Sequence, residues 1–83
     1  MTTALHSSDY RAFADHLVVL RERAKLTQGQ LAARLGKPQS FVSKYERLER
    51  RLDPSEFRQI VIGLGYKADA EFAEVSRSLD ASG

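Results

Sequence analysis

Leu26-Thr27-Gln28-Gly29-Gln30-Leu31-Ala32-Ala33-Arg34-Leu35-Gly36-Lys37-Pro38-Gln39-Ser40-Phe41-Val42-Ser43-Lys44-Tyr45-Glu46-Arg47 is the stretch on which the fold turns. The Thr27 hydroxyl can accept from the backbone three residues on while the Gln30 side chain reaches back, the reciprocal pattern of a capping box. Leu26 just outside this helix start and Leu31 just inside it supply the hydrophobic staple. Leu31, Ala32 and Leu35 form a buried edge, and Gly36 provides the left-handed residue that ends the helix. A helix of about two turns does not stand alone in water, so it must pack on neighbours. Pro38 suits the first turn of the next helix, which runs from Gln39 to about Arg47. There Val42 and Tyr45 share one face with Glu46 beside them, while Gln39, Ser40, Ser43, Lys44 and Arg47 share the opposite face. That front holds amide, hydroxyl and cationic groups without an acid, whereas an ordinary solvated face mixes Glu with Lys.

The flanks read as helices too. Tyr10, Phe13, Leu17, Leu20 and Ala24 recur at steps of three and four, a single stripe on a preceding helix of about four turns. Ser8 suits its N-cap, with Asp9 near the positive helix end. Downstream, Asp53 caps, Pro54 takes the first position, Glu56 the third, and Leu52 staples to Phe57. Phe57, Ile60, Val61 and Leu64 face inward, and Gly63 and Gly65 close the segment. From Ala68 to Leu79 a last helix places Phe72, Val75 and Leu79 on one stripe, with Asp80 to Gly83 expected to fray. Sustained strand-like alternation is absent.

Eighty-three residues allow one small domain. Apolar residues at 42% and charged residues at 29% give a globular rather than a disordered balance. Without cysteine, neither a disulfide framework nor a thiolate zinc site can staple the fold. The longest aliphatic run, Leu17 to Leu20, is far short of the roughly 20 residues that span a bilayer. Residues 1–8 lack a signal-peptide pattern and read as a flexible tail, so a cytoplasmic location, on the nucleoid when bound, is expected. Charge is uneven: residues 21–51 hold nine Lys or Arg against three acids, giving +6, and the remainder carries −4. Such a polarised field steers polyanions to one side.

No catalytic constellation emerges. His6 and His16 are the only imidazoles, neither beside a nucleophile, and Ser7, Ser8 and Asp9 read as a helix start rather than as a triad fragment. The glycines at 63 and 65 follow no strand, and no paired-ligand spacing suggests a metal or other cofactor.

Two short helices joined by a tight turn at Gly36, the second displaying polar groups outward, form a helix-turn-helix arrangement. The run Leu26 to Gly36, with Val42-Ser43-Lys44-Tyr45-Glu46-Arg47 and the continuation Glu49-Arg50-Arg51-Leu52-Asp53, resembles the Cro/repressor (XRE-type) helix-turn-helix family. The likeness covers about residues 20–65. It implies an all-α, compact five-helix, lambda-repressor-like fold with a helix-turn-helix DNA-binding domain over 9–66, while residues 67–83 read as a C-terminal helix, serving core closure or dimerisation, and a frayed end.

Laid onto these positions, the resemblance makes Gln39, Ser40 and Lys44, with Ser43 close by, the readers of DNA base edges. An amide can pair bidentately with adenine, and a lysine can reach guanine acceptors. Thr27 and Gln28 at a helix N-terminus match a phosphate anchor, where open N–H groups and the dipole favour an anion. Lys37, Arg47, Arg50 and Arg51 are candidate phosphate contacts. Phe41 stands between a contact on the sugar–phosphate wall or a thymine methyl and packing against the protein. Arg21 and Glu46 match a structural ion pair joining the first and third helices. Leu48 departs from the glycine common in the family at that point.

The expected function is a sequence-specific, double-stranded DNA-binding transcriptional regulator, a repressor rather than an enzyme. The expected partner is a second copy, meeting through Leu64, Tyr66, Phe72, Val75 and Leu79 and binding paired half-sites. An antitoxin that also holds a toxin, through the acidic C-terminal third, is the alternative. A purely protein-binding adaptor is weakened by the acid-free face, and RNA binding by the lack of an aromatic stacking surface.

Overall fold

The computed structural model of the chain describes residues 8–82, with side chains described for residues 10–77. Five helices follow one another: α1 (Ser8–Arg23), α2 (Gln28–Leu35), α3 (Gln39–Glu46), α4 (Pro54–Gly63) and α5 (Ala68–Ser82). Among the described residues there is no strand, and the architecture is the all-α five-helix domain expected. Apart from Ser8, the first residue of α1, the tail expected over 1–8 lies outside the described residues.

Both capping boxes form. Thr27 Oγ1 accepts from the Gln30 N–H at 3.0 Å while the Thr27 N–H donates to Gln30 Oε1 at 2.8 Å. Asp53 Oδ1 accepts from the Glu56 N–H at 2.7 Å, and the Asp53 N–H donates to Glu56 Oε1 at 3.0 Å. Pro38 stands one position earlier than expected. Its extended backbone (ψ 155°) makes it the N-cap of α3, so Gln39 is the first helical residue.

The first four helices end in one way. A left-handed residue closes each, and the next N–H returns to a carbonyl five residues back, the Schellman closure. The bonds are Leu26 N–H to Arg21 O at 3.2 Å, Lys37 N–H to Ala32 O at 3.0 Å, Glu49 N–H to Lys44 O at 2.8 Å and Tyr66 N–H to Val61 O at 3.1 Å. Glycine fills the left-handed position twice, at Gly36 (φ 68°) and Gly65 (φ 91°). The other two positions hold Lys25 (φ 60°) and Leu48 (φ 65°), whose Cβ atoms make that conformation unfavourable. Leu48 therefore adopts the conformation for which the family uses glycine, and the chain bears the strain.

These closures turn the chain so that all five helices surround one core. Leu17 and Leu20 of α1, Leu31 of α2, Val42 and Tyr45 of α3, and Ile60 and Val61 of α4 are wholly buried within it. Phe13 of α1 stacks on Phe57 of α4 with ring centres 4.7 Å apart, and Phe72 of α5 meets both rings edge-on at 5.8 and 6.2 Å. His16 Nε2 and Glu71 Oε1, 2.9 Å apart, join α1 to α5.

Two residues offered both to the core and to a subunit interface, Leu64 and Val75, are buried within the single chain. Helix α5 folds back over α1 and α4, with Val75 on its inner side and Leu64 at the end of α4 beneath it. Tyr66 is partly buried against the same core. Phe72 remains 54% exposed, and the Leu79 side chain lies outside the described ones. Helix α5 also continues to Ser82 instead of stopping at Leu79, since no proline or glycine interrupts it before Gly83.

Relieving the two strained closures is expected to stabilise the chain. Lys25→Gly gives up only an exposed side chain and should gain roughly 0.5–1 kcal/mol in urea unfolding. Leu48→Gly should gain less, because its partly covered side chain is lost with the strain. Destabilisation by Lys25→Gly would show that position 25 does not bear the cost assigned to it.

Candidate nucleic-acid interface

Helix α3 has a buried back and an open front. Phe41, Val42 and Tyr45 are buried, whereas Gln39, Ser40 and Lys44 are exposed and Ser43 is half-buried. The Ser43 hydroxyl donates to the Ser40 carbonyl at 3.3 Å, so it is turned along the helix. Burial pushes the Tyr45 phenol upward in pKa, and its hydroxyl has no hydrogen-bond partner among the described residues.

A network of charges holds α3 from behind. Arg21 Nε donates to Glu46 Oε2 at 2.7 Å and Arg21 Nη2 to Glu46 Oε1 at 3.1 Å. Arg21 Nη1 donates to the Leu26 carbonyl at 2.8 Å, and Gln28 Nε2 donates to Glu46 Oε1 at 2.8 Å. One carboxylate thus joins α1, the start of α2 and the end of α3. The side chains of Arg21 and Glu46 are only 14% and 7% exposed, so the pair is shielded from the screening that weakens surface ion pairs. The hydrogen bond to Glu46 raises the Arg21 pKa further above its ordinary value.

The cations expected on phosphate occupy different settings. Lys37 is exposed, with Nζ 5.1 Å from the centre of the Phe41 ring. Arg47 is exposed and meets Glu49 through Nε at 3.2 Å and Nη2 at 3.1 Å. An acid from the following loop therefore reaches a face that α3 itself leaves acid-free, and the Glu49 carboxyl is held below its ordinary range by Arg47. Arg50 grips Glu56 with both terminal nitrogens, Nη1 to Oε1 at 3.0 Å and Nη2 to Oε2 at 2.9 Å. The Arg51 guanidinium lies over the Tyr10 ring at 5.3 Å, with Nη1 buried and unpaired.

Of the two roles left open for Phe41, a contact on DNA or packing against the protein, its surroundings match the packing. Only 8% exposed, it meets Tyr45 edge-on at 5.6 Å, because its position one helical turn before Tyr45 widens the buried stripe of α3. Three roles had no signature in the sequence. The Tyr10 hydroxyl accepts from the Leu52 N–H at 3.0 Å and donates to the Arg50 carbonyl at 3.4 Å, pinning the loop after α3. Arg34 Nη1 donates to the Gly63 carbonyl at 3.1 Å, joining α2 to the end of α4. Glu56, legible only as a capping residue, also carries Arg50.

A helix-turn-helix family model matches residues 19–70, which spans α2, the turn, α3 and α4. The chain belongs to the XRE-type helix-turn-helix family. A solved structure described as an XRE-family like protein from Pseudomonas syringae pv. tomato str. DC3000 is 44% identical and superposes with a TM-score of 0.86. That similarity covers 93% of this chain and 94% of the other. Among curated proteins, no match is found. XRE-type domains are DNA-binding regulators, and in this member the polar front of α3 is the outward surface of the helix-turn-helix unit. No helix among the described residues is long and apolar enough to cross a membrane.

The Glu56 carboxyl lies below the ordinary carboxylate range, first through Arg50 and then through the Asp53 N–H. With its folded-state pKa depressed, the unfolded chain binds the proton first as the pH falls. The stability Glu56 contributes is therefore complete above about pH 5 and is lost as the pH drops through the folded-state value. Urea titrations should show the unmodified chain more stable than E56Q at neutral pH, with the gap closing below about pH 4. A gap that persists unchanged into acid would contradict an ionised Glu56.

Proposed function

We propose that the chain is a sequence-specific repressor of transcription that acts by occupying an operator on double-stranded DNA, with no catalytic step. Helix α3 enters the major groove, and Gln39, Ser40, Ser43 and Lys44 meet the base edges. Lys37, Arg47 and Arg51, with Thr27 and Gln28 at the N-terminus of α2, hold the phosphates on either side. The observation that carries this reading is the division of α3 itself. Gln39, Ser40 and Lys44 stand exposed together while Phe41, Val42 and Tyr45 anchor the other side. A display of amide, hydroxyl and ammonium groups, to which α3 itself contributes no acid, suits a surface of mixed donors and acceptors on a polyanion. The protein works in the cytoplasm, on the nucleoid.

The working form is a homodimer. Phe72 is the most exposed large apolar side chain among the described residues, and it borders an apolar groove of about 390 Å³ shared with Phe13, Leu52, Pro54, Phe57 and Ala68. A second copy covering Phe72 and the adjoining face of α5 gives the two-fold arrangement that paired half-sites require.

Selection of bound duplexes from random DNA tests both parts together. It should return a two-fold site with half-site centres about 34 Å apart. Replacing Gln39 or Lys44 by alanine should relax the preference at one position per half-site, at a cost of about 1–3 kcal/mol. Unchanged discrimination in both variants would overturn the assignment of α3, and a site without symmetry would overturn the dimer.

A further inference from the structure

The surroundings of Phe41 place one cation in a role other than phosphate binding. The ring lies on α3 between the reading residues Ser40 and Ser43 and is almost fully buried. Lys37, from the turn before α3, and Arg50, from the loop after it, both lie over this ring, at 5.1 and 4.8 Å. Segments on either side of α3 thus meet on one aromatic side chain, a favourable arrangement because a cation is drawn to the negative face of the ring.

Arg50 is also fixed from its far side. Both terminal nitrogens are bonded to Glu56, and Nη1 in addition donates to the Arg51 carbonyl at 3.0 Å. Glu56 is anchored in turn, since it accepts from the Asp53 N–H as the third residue of α4. A continuous chain of contacts therefore runs from the capped start of α4 through Glu56 and Arg50 to the Phe41 ring. A planar guanidinium with a bidentate partner is oriented as well as charged, which an ammonium cannot reproduce.

We infer that Arg50 and Glu56 are positioning residues for sequence recognition: they set the rotation of α3 through Phe41. Arg50 is then not one of the phosphate contacts. The Arg50–Glu56 pair is close to neutral as a unit and, unlike the open Arg47–Glu49 pair, keeps its carboxylate largely covered, so it displaces no counterion from DNA and adds nothing to the salt dependence of binding. The inference rests on the DNA-reading role proposed above for α3, and it adds a control of specificity that touches no base.

The discriminating variants are Arg50→Lys, which keeps the charge and loses the bidentate grip, Arg50→Gln, which loses both, and Glu56→Gln, which keeps an acceptor for the cap. Affinity is measured against salt concentration for a duplex selected by the unmodified protein and for a scrambled duplex. Amide hydrogen exchange is measured in the free protein. In all three variants the affinity ratio of selected to scrambled duplex should fall about tenfold, and for Arg50→Lys, which keeps the net charge of the pair, scrambled-duplex affinity and salt slope should be unchanged. Exchange should quicken by a larger factor within α3 than within α1, a pattern that general destabilisation alone would not give.

Arg50→Lys behaving as the unmodified protein, with Arg50→Gln reducing the salt slope by about 0.9, would make Arg50 a phosphate contact and overturn the inference. Should the unmodified protein bind every duplex alike, the DNA-reading role would fall and the claim on specificity with it. The exchange rates of α3 would still decide whether Arg50 and Glu56 orient the helix.

Discussion

The Glu46 carboxylate is the group on which the interface depends. It accepts two bonds from Arg21 and one from Gln28, and so joins α1, α2 and α3 at one nearly buried point. A carboxylate withdrawn from water is costly unless its lone pairs are satisfied and its charge is matched, and Arg21 supplies both. The arrangement has little tolerance: a shift of α3 along its axis would leave an unpaired charge in a poorly solvated place. That penalty, together with the burial of Phe41, Val42 and Tyr45, restricts α3 to one position.

The rest of the interface follows from that restriction. With Glu46 held at the end of α3 and Phe41 held near its start, the helix is gripped at two places about one and a half turns apart. The groups between and opposite them, Gln39, Ser40 and Lys44, therefore face outward. Pre-ordering of this kind reduces what a partner must immobilise on binding. The surrounding loops are pinned through separate contacts, Tyr10 to the backbone at 50 and 52 and Arg34 to the end of α4.

Much of this was legible in the order of residues because it is local. The capping boxes at Thr27 and Asp53 need partners only three residues away, and the closures at Gly36 and Gly65 use the residue type that the backbone favours. The remaining closures were hidden, since Lys25 and Leu48 have no intrinsic preference for a left-handed backbone and are held there by the helices they join. Contacts between distant residues were hidden for another reason. Nothing in the spacing of Arg50 and Glu56, or of Tyr10 and Leu52, marks them as partners until the loop after α3 is folded. Leu64 and Val75 illustrate the same limit: an apolar stripe shows that a face is covered, but not whether the chain itself or another copy covers it.

A double-mutant cycle on Arg21 and Glu46, using Arg21→Met, Glu46→Gln and the pair together in urea unfolding, examines the brace itself. Cooperation of the two side chains in fixing α3 predicts a coupling energy of about 1–3 kcal/mol. Single effects that add to within about 0.3–0.5 kcal/mol would mean that the two groups act independently, and α3 would then have to be held by its apolar contacts alone.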